Sequence, residues 1–97
     1  MSSQQFSRVM NHDFKFKVSD VLFRYLSSDS SLIGFAVNNK FGNAVLRNQF
    51  KRTCRGLFFD TKNNCMLHLV VLPLIPLKEI NNLPVCFDKL YKFIACD

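Results

Sequence analysis

Between Ser30 and Phe59 the sequence has no acidic residue, although the chain of 97 residues contains seven. An ordinary solvated helix face mixes charges of both signs, so this segment is not explained by solubility alone. Other things are missing as well. Four cysteines (Cys54, Cys65, Cys86, Cys96) and two histidines (His12, His68) are present, but no C-x-x-C pair occurs and the histidines lie far apart. That argues against a metal site of paired thiolates and favours reduced cysteines filling apolar space. No nucleophile turn surrounds Cys54 or Cys65. The longest apolar stretch, Cys65 to Leu77, is too short to cross a bilayer and is interrupted by His68, Pro73 and Pro76. The start, MSSQQFSRVMNHDF, has no apolar run behind a basic end, so no secretory leader is expected and the cytoplasm is the expected location. Repeats, linkers and low-complexity segments are absent too.

What remains is a small basic chain. Its apolar content of 48%, with eleven Phe, is ample for one core, and one domain over residues 1–97 is expected. A net charge of +6 and a pI of about 9.4 suit nucleic acid or an anionic membrane surface better than a neutral small substrate. Charge sign alone does not choose between these two.

The charge concentrates in KFGNAVLRNQFKRTCRGLF, residues 40 to 58, which holds five cations and no anion. Turned as a helix at about 100° per residue, Leu46, Phe50, Thr53, Cys54 and Leu57 gather into an apolar stripe. Arg47, Lys51 and Arg55 then rise as a ladder at i, i+4, i+8, and Asn48 with Arg52 continues that face. Like charges so spaced cost a few tenths of a kcal/mol per pair. A polyanionic partner reverses that cost.

Residues 4 to 12 carry a weak helical pattern in which Phe6, Val9 and Met10 share one face. VSDVLFRYL, residues 18 to 26, reads as a strand, SSDSS as a turn cluster and SLIGFAVNN as a second strand, so the two are expected to pair as a hairpin. Gly42 and Asn43 precede the basic helix as its N-cap region, and the helix is expected to run to about Phe59. Residues 60 to 64 read as a polar loop. MLHLVVL, residues 66 to 72, is apolar but for His68 and reads as a strand buried on both faces. LPVCFDKLYKFI closes the chain as a helix with Pro84 in its first turn and Val85, Leu90, Phe93 and Ile94 as its packed side. The order helix, strand, strand, helix, strand, helix implies an α+β sandwich: one small sheet with helices mostly on one face.

The basic segment also fits a longer pattern. K-x-G-x-A-V-x-R-N-x-x-K-R-x-x-R, met here by Lys40, Gly42, Ala44, Val45, Arg47, Asn48, Lys51, Arg52 and Arg55, resembles the signature of the bacterial ribonuclease P protein subunit. Outside it, FSRVM at 6 to 10 is similar to that family's first helix, VLF at 21 to 23 to its first strand and MLHLVVLP to its last strand. The chain departs from the family with Gln49 in place of an Arg, Gly56 in place of a Glu, and Asn38 and Asn39 in place of basic residues, and its flanks are shorter and less basic.

The resemblance implies an α-β sandwich with a left-handed crossover. It further implies a subunit of an endoribonuclease that breaks no bond itself: the catalytic RNA subunit, with bound magnesium, removes the 5′ leader of precursor tRNA. The protein would hold the leader in a cleft between its sheet and first helix and would bind the catalytic RNA, with no membrane and no protein partner required. Carried onto this sequence, Phe6, Met10 and Phe23 fall at cleft-lining positions, with Phe14 and Phe16 as extra aromatics nearby. Arg47, Asn48, Lys51 and Arg55 are the candidates for RNA contact, and Lys40 and Arg52 for the catalytic RNA. The residue chemistry fits independently, since single-stranded RNA is gripped by cations along its backbone and by aromatic rings on which bases stack. Phe35 and Phe50 are assigned to the core.

Three other readings remain open at this level. A structural, ribosomal-type RNA-binding protein explains charge and aromatics but not the nine matched positions. A self-sufficient nuclease needs a carboxylate or His cluster, and the basic segment has none. A degenerate family member is consistent with Gln49, Gly56 and the short flanks.

Overall fold

The computed structural model describes residues 1–59 and 66–94. Helix α1 (Ser3–Met10) begins at a capping box, in which the Ser2 hydroxyl accepts from the Gln5 amide and the Gln5 side chain accepts from the Ser2 amide. Strands β1 (Lys15–Val18), β2 (Val21–Ser27) and β3 (Leu32–Phe35) follow, then helix α2 (Ala44–Phe59), strand β4 (Leu67–Pro73) and helix α3 (Leu83–Ile94). The four strands form one sheet in the order β1-β2-β4-β3.

The architecture is the α+β sandwich expected, with one strand more. The segment 18–26 is not one strand but a hairpin, because the chain reverses at Ser19 and Asp20 between the paired Val18 and Val21. Ser19 takes a left-handed φ of 52° there, which suits the twist of a two-residue hairpin loop. The expected pairing of β2 with β3 does not occur. Strand β4 lies between them, antiparallel to β2 and parallel to β3, and α2 makes the crossover from β3. The physical reason is burial. Strand β4 is apolar on both faces and is covered on both, so it takes a central place, whereas every residue of β3 is only half-buried and suits an edge.

Alternation along the strands divides the core. On one face Val21, Phe23, Leu69 and Val71 meet Phe50, Cys54 and Phe58 of α2 and Leu83, Cys86, Phe87 and Leu90 of α3. On the other face α1 lies across β2 and β4, with Val9 fully buried. Beside α1, a Cβ on Gly34 of β3 would sit 2.9 Å from the sulfur at the flexible end of the Met1 side chain and in ordinary contact, 3.5 Å, with the Phe6 ring. His68, the one buried polar residue among those described, shares this face, and its Nε2 lies 3.1 Å from the Ser30 hydroxyl.

Two packed sides differ from expectation. In α2 Phe58 is buried, whereas Thr53 is exposed and its hydroxyl donates to the Gln49 carbonyl at 3.0 Å. In α3 the spacing i, i+3, i+4, i+7 of Leu83, Cys86, Phe87 and Leu90 makes the stripe, while Val85 and Phe93 face outward and Ile94 is half-buried.

Candidate nucleic-acid interface

Helix α2 starts where Asn43 can cap it: the Asn43 carboxamide oxygen accepts from the Leu46 amide at 2.9 Å and the Asn43 carbonyl from the Arg47 amide at 2.9 Å. Just before it, Gly42 lets the chain pass close by, since a Cβ there would lie 3.1 Å from both the Leu46 Cβ and the Leu77 Cδ1. With Phe50, Cys54 and Phe58 committed to the core, the opposite side of the helix must carry Asn48, Arg52 and Arg55, all exposed, with Arg47 and Lys51 half-buried at its margin.

Each step of the Arg47, Lys51, Arg55 ladder climbs about 6 Å. Arg47 is oriented at the base: its Nη1 donates to the Asn39 side chain, and its Nε is buried without a protein partner. Asn39 belongs to a 3-10 turn (Asn39–Phe41) whose own start is capped by Asn38, accepting from the Lys40 amide at 3.0 Å. At the other end the Arg55 guanidinium carbon stands 5.3 Å from the centre of the Phe35 ring, which in turn meets Phe50 edge-on at 6.3 Å. Lys40 is exposed, with its ammonium 5.7 Å from the centre of the Phe41 ring. Helix α2 carries no acidic residue, and among the described residues the one ion pair, Lys92 with Asp88 at 3.1 Å, lies on α3. Among the described residues, then, no carboxylate pairs with the cationic face.

The leader-cleft candidates are not brought together. Phe6 and Met10 are half-buried on α1. Phe23 is fully buried on the opposite face of the sheet, its ring edge-on to Phe87 with centroids 5.1 Å apart. The expectation that Phe23 lines a surface against the first helix is corrected: it does alternate with Val21 and Tyr25, but α3 covers that face. The strand residue turned to α1 is its neighbour Arg24, whose Nη1 donates to the carbonyls of Met10 at 3.0 Å and His12 at 3.5 Å, a cation closing the helix C-terminus.

Phe35, Asn38 and Asn39 are the residues that sequence reasoning undervalued. Asn38 and Asn39 look like lost cations in the pattern, yet they cap and orient the turn that leads into the ladder. Among the described residues no three His, Cys, Asp or Glu side chains converge. Burial pushes the Cys54 thiol up to about 12, with Cys86 raising it further and Arg55 opposing, so this thiol stays neutral beneath the basic face. No described helix is long and apolar enough to cross a membrane.

The family model described as Ribonuclease P matches residues 1–92. The ribonuclease P protein component of Mesomycoplasma hyopneumoniae strain 7448 is 32% identical over 93 residues, which is 94% of this chain and 80% of the relative. In fold, the chain is similar to the RNase P protein of Staphylococcus aureus, with a TM-score of 0.82 at 20% identity, covering 99% of this chain and 94% of that one. It is also similar to the RNase P protein of Thermotoga maritima, with a TM-score of 0.70 at 21% identity, covering 91% and 86%.

Proposed function

The chain belongs to the ribonuclease P protein family, and we propose that it acts as the protein subunit of that endoribonuclease, binding its catalytic RNA and the 5′ leader of precursor tRNA in the cytoplasm. The observation that carries this reading is the cationic ladder on α2. Arg47, Lys51 and Arg55, about 6 Å apart along the axis, match a ligand that presents negative charge at regular intervals.

On this reading the protein supplies binding and the RNA supplies chemistry. The precursor tRNA and the folded catalytic RNA repel each other, and cations must screen them. Fixed cations on α2 take over part of that screening, so the protein lowers the magnesium needed for leader removal. The metal itself is held by RNA. Arg55 over Phe35 offers a charged and an aromatic surface side by side, suited to one phosphate and one base. Asn48 donates to a phosphate or base edge. Arg52, on the outer side of α2, and Lys40, at its entrance, contact the catalytic RNA. Phe6 and Met10 on α1 contact the leader.

Reconstitution tests this. The protein is mixed with its cognate catalytic RNA and precursor tRNA, and cleavage is followed as magnesium is lowered. Cleavage by the RNA alone should fail at low magnesium and be restored by the protein, while the protein alone cleaves nothing. Multiple-turnover cleavage by RNA-free protein, or no effect of protein on the RNA-catalysed rate at any magnesium level, overturns the proposal.

A further inference from the structure

Strand β1 is the edge of the sheet farthest from the ladder, and its sequence alternates aromatic and basic: Phe14, Lys15, Phe16, Lys17. Phe16 and Phe93 of α3 stack nearly parallel, with centroids 4.2 Å apart and planes inclined by 16°. Beside them Phe14 lies against Tyr25 at 5.6 Å and meets the His12 ring edge-on at 4.4 Å. Phe16 packs on the buried core, but Phe14 does not and is 50% exposed, as Phe93 is 53% exposed. Hydrophobic burial does not account for two large rings left half in water at one sheet edge.

We propose that this aromatic row is a second contact for single-stranded RNA, stacking bases on Phe14 and Phe93, and separate from the α2 ladder; the proposal rests on the RNA-binding reading above. Exposed aromatic faces accept any base, and the lysines between them can reach the strand's backbone. The same lysines disfavour the other obvious use of an open edge, pairing with the β1 of a second copy. Asp13 and Asp20 flank the strand, so the row is close to neutral, and its rings contribute stacking, which carries no counterion release. The longest dimension of the protein is 34 Å, so a strand of about 15 nucleotides reaches from ladder to row even at the roughly 3.4 Å rise of fully stacked bases.

The test uses the full chain and a fluorescently labelled oligouridylate of about 15 nucleotides, long enough for both contacts. Binding is titrated over a salt series for the wild type, Phe14→Ala, the pair Phe14→Ala with Phe93→Ala, and the ladder pair Lys51→Ala with Arg55→Ala. Phe14→Ala should weaken binding about five-fold or more while leaving the log-log salt slope unchanged, and the aromatic pair should weaken it further. The ladder pair should instead flatten the slope. Because the chain has no Trp, Phe14→Trp keeps a ring in place and reports directly: its emission should be quenched by the oligonucleotide. Wild-type affinity in Phe14→Ala together with an unquenched Phe14→Trp overturns the second contact alone, provided the ladder pair still loses affinity. A wild-type protein that fails to bind the oligonucleotide overturns both this inference and the RNA-binding reading.

Discussion

Phe23→Ala separates core from cleft. The ring has no exposed surface and sits among Val21, Leu69, Val71 and Phe87, with the Phe87 contact edge-on. A buried Phe removes about 200 Å² from water, which at about 25 cal/mol per Å² is near 5 kcal/mol. Truncation to Ala recovers part of that for the unfolded side and leaves a cavity, so the expected cost is about 3 to 5 kcal/mol. A chain of this size has a stability of roughly 5 to 15 kcal/mol, so the variant sits close to the limit of folding. In urea, with a slope of about 1.5 kcal/mol per M, the midpoint should fall by roughly 2 to 3 M with the slope itself unchanged. Phe23→Leu, which keeps most of the volume, should lose less than about 1.5 kcal/mol and bind RNA normally. The reasoning is refuted if Phe23→Ala unfolds within 0.5 M or so of the wild type while its affinity for a precursor leader collapses.

Gly56 lies inside α2 with open space where a Cβ would go. Gly56→Ala should therefore stabilise the protein by about 0.5 to 1 kcal/mol, raising Tm by roughly 4 °C in a thermal scan, and a lowered Tm contradicts the geometry. The Cys54 thiol is held neutral by burial, its pKa pushed up to about 12, whereas in the unfolded chain it ionises near 8.5 to 9. Below that range the thiol is protonated in both states; above it the unfolded chain binds fewer protons, so stability is full below pH 8 and is lost as pH rises from about 9 towards 12. Tyr91, raised to about 12 by burial, adds to the loss above pH 10. Urea unfolding between pH 8 and 11 should show this decline, shallower in Cys54→Ala, and a flat profile for the wild type would contradict it.

Helix α2 was readable almost to the residue because its signals are local: an Asn to cap it, an apolar stripe at helical spacing and one sign of charge on the far side. Strand β4 declared itself by being apolar on both faces, and α3 by Pro84 at its start. The Ser19 reversal was hidden because Ser-Asp between valines reads as strand, and only the backbone shows the left-handed φ. The place of β3 was hidden for a different reason. Which strand pairs with which depends on contacts distant in sequence, and a turn cluster between β2 and β3 says nothing of β4 entering between them. The same limit explains Phe23. Alternation assigns it to a face with Val21 and Tyr25, but which helix covers that face is a tertiary fact. On α3 the expected packed side keeps Leu90 but includes Val85 and Phe93, which face outward, in place of Leu83, Cys86 and Phe87, which complete the buried stripe.

The central claim, that the basic face of α2 grips RNA backbone, is tested most directly by salt dependence in the reconstituted complex. Each cation that neutralises a phosphate on a single strand contributes about 0.7 to the slope of log affinity against log salt. Arg55 is exposed and its removal leaves the buried stripe of α2 untouched. Precursor tRNA binding should therefore lose about 0.7 of slope in Arg55→Ala and about 1.4 when Lys51→Ala is added, for leaders of any sequence. Slopes equal to that of the wild type in both variants would contradict the account and return the ladder to an ordinary solvated face.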